Sequence, residues 1–336
     1  METVVPIDTD FSFAHVVPST AKGLAAPDLL GPLRPFVGQP VAGKDAQRSW
    51  RGSGFNLIWR PNFIGEFGPN DFFLQLFFTS EQIDFTEITG SGIANRSLFE
   101  KTVVLGGAAY TQSIKDSFDG SGQHFEPGVW AHAPVIANPN EPTTVIRMGS
   151  IPHGTTINLQ GTAVEIAGPP TFDPASITPF TIGSADDGAT GLVPFPNEED
   201  FTKDSPSRTD RARLAGLKPD HLTNPNLFLS DAIAGQKISR TTVLKLSSIA
   251  PDVTIPAPRP DIGGGVANIA FLEGKGVPKA GGPNGVTQTV TTTFWIEEID
   301  DGSGQPALQL QYTQRVLLNF SGLSWPHISV GTLRPV

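Results

Sequence analysis

The sequence contains no cysteine. Disulfides, cysteine-ligated zinc, iron–sulfur clusters and thiol nucleophiles are therefore excluded, and a reducing compartment is favoured. No run approaches the ~20 consecutive apolar residues that a membrane helix needs. The first residues, METVVPIDTDFSF, lack the basic stretch and apolar run of a signal peptide. From these absences we expect a cytoplasmic protein with no membrane partner.

Basic clusters are also missing. The formal net charge is -10 and the isoelectric point is about 5.0. A surface of this sign repels phosphate backbones, so we expect no nucleic-acid partner. The chain has no glycine-rich phosphate loop before a helix, no nucleophile elbow and no HExxH zinc helix. Candidate functional residues must therefore come from outside these known motifs. The sequence does not indicate the oligomeric state.

Glycine, proline and phenylalanine are plentiful, at 36, 31 and 22 residues. Many glycines and prolines argue against long helices and for turns between short strands. The phenylalanines supply enough apolar area for a large core. Short strands separated by turn signals are typical of a sandwich or barrel. The last segment, WPHISVGTLR at 325–334, is still rich in apolar residues, which suggests that it closes the sheet.

The chain divides into three parts by composition. Residues 1–46 read as an irregular lead-in, because prolines interrupt them too often for a regular element. Residues 47–336 read as one all-β barrel domain. Within it, residues 169–262 are rich in Pro, Asp, Ser and Gly and read as a loop-rich insertion or cap, with a strand-like run at 241–249.

Individual strands are visible from their alternation and their turns. Residues 307–320 alternate with period 2. Pro127-Gly128 predicts a tight bend, and the run 151–154, Ile-Pro-His-Gly, predicts a break between two strands. The face of 307–320 expected to point inward carries Leu308, Leu310, Tyr312, Gln314, Val316, Leu318 and Phe320.

Histidine is the scarce chemical resource of this chain, with six residues. His327 lies on the predicted last strand, on the same face as Trp325. If that face points inward, a neutral imidazole in an apolar barrel would be a suitable axial ligand for haem iron. The plainer reading is a buried histidine bonded to a backbone carbonyl. His124, Glu126 and His153 could share one end of the same pocket.

Several segments resemble the nitrobindin-like haem-binding proteins, a family of calycin-type barrels related in shape to lipocalins. SWRGSGFNLIW at 49–59 resembles the opening strand of that family, and residues 98–116 resemble its middle hairpin. HFEPGVW at 124–130 and the closing WPHISVGTLR resemble two further family segments. The resemblance implies that His327 is the haem ligand. Family members are shorter, and residues 1–46 and 169–262 have no counterpart.

The leading hypothesis is therefore haem b bound through His327, with the nitric oxide or peroxide chemistry that the resemblance implies. Mutation of His327 to Ala should then abolish haem binding. Apolar aromatic side chains were expected to surround the macrocycle. They are Trp50, Phe55, Trp59, Phe72, Phe125, Trp130, Trp295 and Trp325.

Two other hypotheses need no cofactor. One is an isomerase, cyclase or lyase that acts on an apolar metabolite, with His124, Glu126 and His153 as acid/base candidates. The predicted insertion favours this hypothesis slightly, because a lid would shape a specific site. The other is a plain carrier of an apolar small molecule. A uniformly apolar lining would favour the carrier, and polar groups in the pocket would argue against it.

Overall fold

The structure is a computed structural model. It describes residues 28–41, 44–88, 92–95, 102–138, 140, 142–184, 190–249, 264–273 and 284–336. Most of the predicted irregular lead-in, residues 1–27, lies outside these ranges. Within them, no helix is both long and apolar enough to cross a membrane.

Thirteen strands are found in the described residues. They are β1 (Gln47–Pro61), β2 (Phe72–Glu87), β3 (Ile93–Asn95), β4 (Val103–Asp116), β5 (Gly122–Ala133), β6 (Thr144–Ile151), β7 (Thr155–Ala167), β8 (Phe180–Thr181), β9 (Ile238–Ser247), β10 (Gly265–Asn268), β11 (Asn284–Ile299), β12 (Ala307–Phe320) and β13 (Leu323–Pro335).

Helices are few and short in the described residues. They are α1 (Arg34–Val37), α2 (Pro219–Thr223), α3 (Leu227–Ile233) and α4 (Ala270–Glu273), with 3-10 turns at Gly31–Leu33 and Arg211–Leu214.

Ten of the strands close into an antiparallel barrel in the order β1-β2-β4-β5-β6-β7-β9-β11-β12-β13, with β13 pairing back to β1. This confirms the predicted all-β, calycin-type barrel. The closing pair places Gly52 opposite Leu333 and Gly54 opposite Gly331. A Cβ on either β1 glycine would lie 2.0 Å from a β13 carbonyl oxygen. The Gly-Ser-Gly run of the opening strand therefore allows the close approach that seals the barrel.

One end of the barrel is filled by the segment that contains α1. Phe36 stacks on Phe85 with ring centroids 4.5 Å apart, and also packs edge-on against Trp130. The indole of Trp50 donates a hydrogen bond to the Phe36 carbonyl oxygen at 3.0 Å. Leu33 and Phe36 are fully buried in this inner cluster. Part of the segment predicted as an irregular lead-in therefore acts as a plug.

The outside of β1, β2 and β13 is covered by residues 169–184 and 190–237, which belong to the first part of the predicted insertion. The indole of Trp59 donates to the Ile177 carbonyl oxygen at 2.9 Å. Phe228 of α3 stacks on Phe55 with ring centroids 4.9 Å apart. This segment wraps the barrel wall. The predicted insertion also contains β9, which is a full barrel strand between β7 and β11.

The predicted bend at Pro127-Gly128 is wrong. β5 runs without interruption from Gly122 to Ala133 and pairs with both β4 and β6. Gly128 serves packing here, because a Cβ at this position would lie 2.6 Å from a ring carbon of Tyr110. The other predicted break is confirmed, since β6 ends at Ile151 and β7 begins at Thr155.

Candidate functional site

The half of the barrel away from the plug encloses a cavity of about 450 Å³. The ends of β1 and β6, the starts of β7 and β11, and α4 surround its mouth. Its apolar walls come from side chains that alternate inward along their strands. They include Ile58, Phe77, Ile114, Ile151, Val316 and Leu318.

Neutral polar side chains share the cavity with these walls. Asn56 lies at the centre of one group, where its Oδ1 accepts a hydrogen bond from Ser329 Oγ at 2.5 Å and lies 2.8 Å from His327 Nε2. Gln112, Tyr312 and Gln314 form a second group. Arg60 is the only arginine or lysine among the described lining residues, and it donates to Gln75 at 3.0 Å.

His327 faces the cavity, as predicted. Burial lowers the pKa of its imidazole to about 3, and the neighbouring His124 and His153 act in the same direction. The ring is therefore neutral at pH 7. Since Asn56 Oδ1 is an acceptor, the hydrogen bond between them places the imidazole proton on Nε2.

An ion pair lies in the barrel interior. Arg147 is buried and donates from its Nη2 to Glu126 Oε1 at 2.7 Å, from its Nη1 to Gln314 Oε1 at 2.7 Å and from its Nε to Tyr110 Oη at 3.1 Å. The Tyr110 hydroxyl in turn donates to Glu126 Oε1. All three nitrogens of the guanidinium thus have partners, as a buried charge requires.

This arrangement fixes the charge of Glu126. Burial alone would raise the pKa of the carboxyl group, but Arg147 and His124 outweigh burial and lower the pKa to about 2. Burial also lowers the pKa of Arg147, and Glu126 reverses that effect to give a net rise. The pair is therefore permanently ionised at neutral pH and presents no net charge to the cavity.

A second buried glutamate, Glu81, has different neighbours. Glu81 accepts hydrogen bonds from Thr79 Oγ1 at 2.6 Å and from Tyr312 Oη at 2.7 Å, and Gln112 Nε2 donates to Tyr312 Oη at 3.3 Å. Burial raises the pKa of Glu81, and burial together with Glu81 raises the pKa of Tyr312. Tyr312 and Gln112 both line the cavity.

The three acid/base candidates from the sequence do lie together. His124 Nε2 lies 3.2 Å from Glu126 Oε2, and the rings of His124 and His153 are 5.9 Å apart. Both histidines line the cavity mouth. Burial lowers the pKa of His153, helped by His124, and its Nε2 lies 3.1 Å from the Gln123 carbonyl oxygen. Glu126 is engaged by Arg147 below them.

The eight aromatic residues predicted to surround haem lie elsewhere. None of them lines the cavity. Phe125 is 49% exposed on the surface. The inner cluster beside the plug holds Trp50 and Trp130. The outer cluster, under residues 169–184 and 190–237, holds Phe55, Trp59, Phe72, Trp295 and Trp325.

The cavity side chains do not fit haem in this arrangement. A macrocycle needs an apolar slot and a free imidazole nitrogen. His327 Nε2 is hydrogen-bonded to Asn56, and Ser329 Oγ lies 3.5 Å away. Amides and hydroxyls interrupt the apolar walls, so the cavity is not a uniformly apolar slot. Among the residues that the structure describes, no three His, Asp or Glu side chains are grouped to hold a metal ion. We derive no chemistry through haem.

Three polar residues of this interior, Glu81, Gln112 and Arg147, were missed from the sequence, whereas Tyr312 was expected on the inward face of its strand. The four residues come from four strands that are distant in the chain, and only the barrel register brings them together. One signal was available. The inward positions of β2 run Phe77, Thr79, Glu81, Ile83 and Phe85, so a hydroxyl and a carboxylate interrupt an apolar set.

Comparisons with known proteins add little. No family model matches the chain, and no curated protein matches it. Among solved structures, the chain is similar to the crystal structure of Rv2717c from M. tuberculosis. The match has 14% sequence identity and a TM-score of 0.39, and it covers 92% of this chain and 98% of that one.

Proposed function

We propose that the barrel cavity binds a small, uncharged organic molecule that is mostly apolar and carries one hydrogen-bonding group. One observation supports this most strongly: apolar walls enclose about 450 Å³ around neutral amides, hydroxyls and an imidazole. That volume is within the usual range for ligand sites, which are apolar with a few placed polar groups.

The charge distribution supports an uncharged ligand. The buried cation Arg147 is fully engaged by Glu126, Tyr110 and Gln314. At the mouth, the Arg60 guanidinium lies 4.5 Å from the centre of the Phe67 ring and bonds Gln75. Among the described lining residues, an anionic ligand would meet no unengaged arginine or lysine, and a buried unpaired charge is costly.

Fluorescence of 1-aminoanthracene, a neutral apolar dye, tests the proposal. We expect saturable binding to the wild type. Leu318→Trp adds a large side chain to the cavity and should weaken binding at least about tenfold, since it fills the volume that the dye needs. Leu192→Trp is the matched control, because Leu192 is 45% exposed on the surface.

Two results would contradict this proposal. One is failure of the folded wild type to bind any neutral apolar dye. The other is equal affinity of wild type and Leu318→Trp, which would place the dye elsewhere. Circular dichroism confirms that each variant is folded, and Val316→Phe provides a milder cavity-filling variant.

Haem at His327 is the second candidate. The observation in its favour is that the imidazole lines the cavity in its neutral form, which is the form that ligates iron. Ligation through Nε2 would require the ring to leave Asn56. This candidate predicts a sharp Soret band that saturates at one equivalent of hemin and disappears in His327→Ala. A broad band that never saturates would reject it.

The cofactor-free enzyme hypothesis has weaker support. His124 and His153 stand together at the mouth, which favours proton transfer there. Glu126, however, is a poor general base, because Arg147 and His124 lower the pKa of its carboxyl group to about 2. We therefore rank ligand binding above catalysis as the function of the cavity.

A further inference from the structure

Both tyrosines of the chain contact buried glutamates inside the barrel. Tyr110 donates to Glu126, and Tyr312 is bonded to Glu81. Each pair fits beside a glycine of a neighbouring strand. A Cβ on Gly149 would lie 2.5 Å from Glu126 Oε1, and a Cβ on Gly331 would lie 2.6 Å from the Tyr312 ring.

The two pairs differ in their third partner. Arg147 contacts both members of the Tyr110–Glu126 pair and keeps that carboxylate ionised. Among the described residues, Glu81 has hydrogen-bond partners only in neutral side chains. Different surroundings can drive the pKa values of two carboxyl groups apart. One group then stays ionised, and the other can hold a proton at neutral pH.

We propose that the Tyr312–Glu81 pair is the hydrogen-bond donor of the cavity and selects ligands that carry a carbonyl oxygen. This inference rests on the proposed function, since it names the ligand class of the same site. The Tyr312 hydroxyl would be the group that contacts the ligand.

The geometry explains how the donor is made available. In the structure Tyr312 Oη donates to Glu81 Oε2 and accepts from Gln112 Nε2. A proton on Glu81 Oε2 would reverse the first bond, so that Glu81 and Gln112 would both donate to Tyr312 Oη. Both lone pairs of the hydroxyl are then filled, so its own proton must be donated elsewhere. Tyr312 lines the cavity, and a ligand carbonyl oxygen would accept that proton.

Ionisation of Glu81 reverses the arrangement. An ionised carboxylate only accepts, so Tyr312 donates to it and offers the cavity no proton. Burial raises the pKa of Glu81, which favours the protonated, donor-presenting state. Among the described residues, the titratable and charged groups around the pair are His124 on β5, whose influence on Glu81 lowers the pKa of that carboxyl group, and Arg147 on β6, which lowers the pKa of Tyr312.

Two probes of nearly equal shape test this inference. 2-Acetylnaphthalene carries a carbonyl oxygen, and 2-isopropenylnaphthalene carries a CH2 group in its place. At pH 6 we expect the wild type to bind the ketone about threefold to tenfold more tightly, the ratio typical of one neutral hydrogen bond. Binding is measured by displacement of 1-aminoanthracene.

Three variants test whether the preference for the ketone comes from the Tyr312–Glu81 pair. Tyr312→Phe should bind both probes equally, whereas Tyr110→Phe, which removes a hydroxyl outside the cavity lining, should keep the ketone preference. In Glu81→Gln, Thr79 continues to donate to Oε1, so the amide Nε2 faces Tyr312 and donates to it. This variant should prefer the ketone at every pH, and raising the pH should weaken the preference only in the wild type.

The outcomes separate this inference from the proposed function. If neither probe binds, the proposed function fails. If both bind the wild type equally, the cavity binds ligands but the Tyr312–Glu81 pair does not select carbonyls. Retention of the ketone preference in Tyr312→Phe, or its loss in Glu81→Gln, would also overturn the inference.

Discussion

At the scale of single residues, the pKa of a buried glutamate is shifted in opposite directions at two places in the barrel. Glu126 and Glu81 are both almost fully buried and both touch a tyrosine. Arg147 beside Glu126 compensates the desolvation of its charge, and Glu81 lacks such a partner. The neighbouring cation, more than burial, decides the charge of each carboxyl group.

Arg147→Met should cost about 3–5 kcal/mol of unfolding free energy, because it leaves the Glu126 carboxylate buried without its cation. Guanidinium unfolding measures this loss. Arg240→Met is the matched control. Arg240 is half-exposed and pairs with Glu298 at the surface, so its loss should cost at most about 1 kcal/mol.

The destabilisation caused by Arg147→Met should depend on pH in a defined direction. The pKa of Glu126 is lowered to about 2, so the stabilisation it gains from Arg147 is present above the ordinary carboxyl pKa of 4.5 and is lost as the pH falls toward 2. The difference between wild type and Arg147→Met should therefore narrow in acid. Equal costs for Arg147→Met and Arg240→Met would contradict this account of the ion pair.

At the scale of elements, β11 and β12 meet α3 over a buried polar contact on the outside of the barrel. Gln309 Nε2 donates to Glu297 Oε2 at 2.6 Å, and Gln311 Nε2 donates to the Leu229 carbonyl oxygen at 3.1 Å. Glu297 Oε1 and Gln311 Oε1 are buried and have no hydrogen-bond partner within the part of the chain that the structure describes. Burial raises the pKa of Glu297 to about 7, which favours the neutral acid.

Glu297→Gln should stabilise the protein above neutral pH. The native pKa is raised, so the stability that Glu297 contributes is present below pH 4.5 and is lost as the pH rises through about 7. At roughly 1.4 kcal/mol for each pH unit, the gain in the variant reaches at most about 3 kcal/mol at pH 8. Denaturant unfolding at pH 5 and pH 8 measures it.

Glu298→Gln is the control for this prediction. Glu298 is the next residue on β11, and its carboxylate pairs with the half-exposed Arg240. It should show no comparable gain at pH 8. A constant difference between Glu297→Gln and the wild type from pH 5 to pH 8 would show that Glu297 does not titrate in this range.

The strand patterns in the sequence identified the strands more reliably than they identified which face of each strand points into the barrel. The inward face of β12 was predicted in part, because Tyr312, Gln314, Val316 and Leu318 line the cavity but Phe320 lies in the outer cluster. The opposite face was expected to meet water, yet Gln309 and Gln311 are buried there. The inward face of β1 was harder to predict, because Phe55 and Trp59 point outward into a second apolar cluster. Both faces of β1 are covered, so alternation of apolar and polar residues could not identify the inner one.

At the scale of the whole molecule, the barrel is divided along its axis. The plug around Phe36 fills one half with aromatic side chains, and the other half keeps an open cavity. Within the described residues, 169–184 and 190–237 do not line the cavity and instead wrap the wall. The closed barrel could be predicted from strand count and turns, but the plug and the wrap depend on contacts between distant segments.

The site was only partly predictable for the same reason. His124, His153 and His327 were identified because histidine is rare in this chain, and all three line the cavity. The Tyr312–Glu81 pair joins β2 to β12, with 230 residues between its members. No local pattern connects them.

The most direct test of the account is a crystal structure with 6-bromo-2-acetylnaphthalene, whose bromine is located by anomalous scattering. The account predicts one bromine site inside the barrel, among Ile58, Phe77 and Leu318, with the carbonyl oxygen within hydrogen-bond distance of Tyr312 Oη. A bromine site only on the outside of the barrel, or none at saturating probe, would contradict the claim that this cavity is a ligand site.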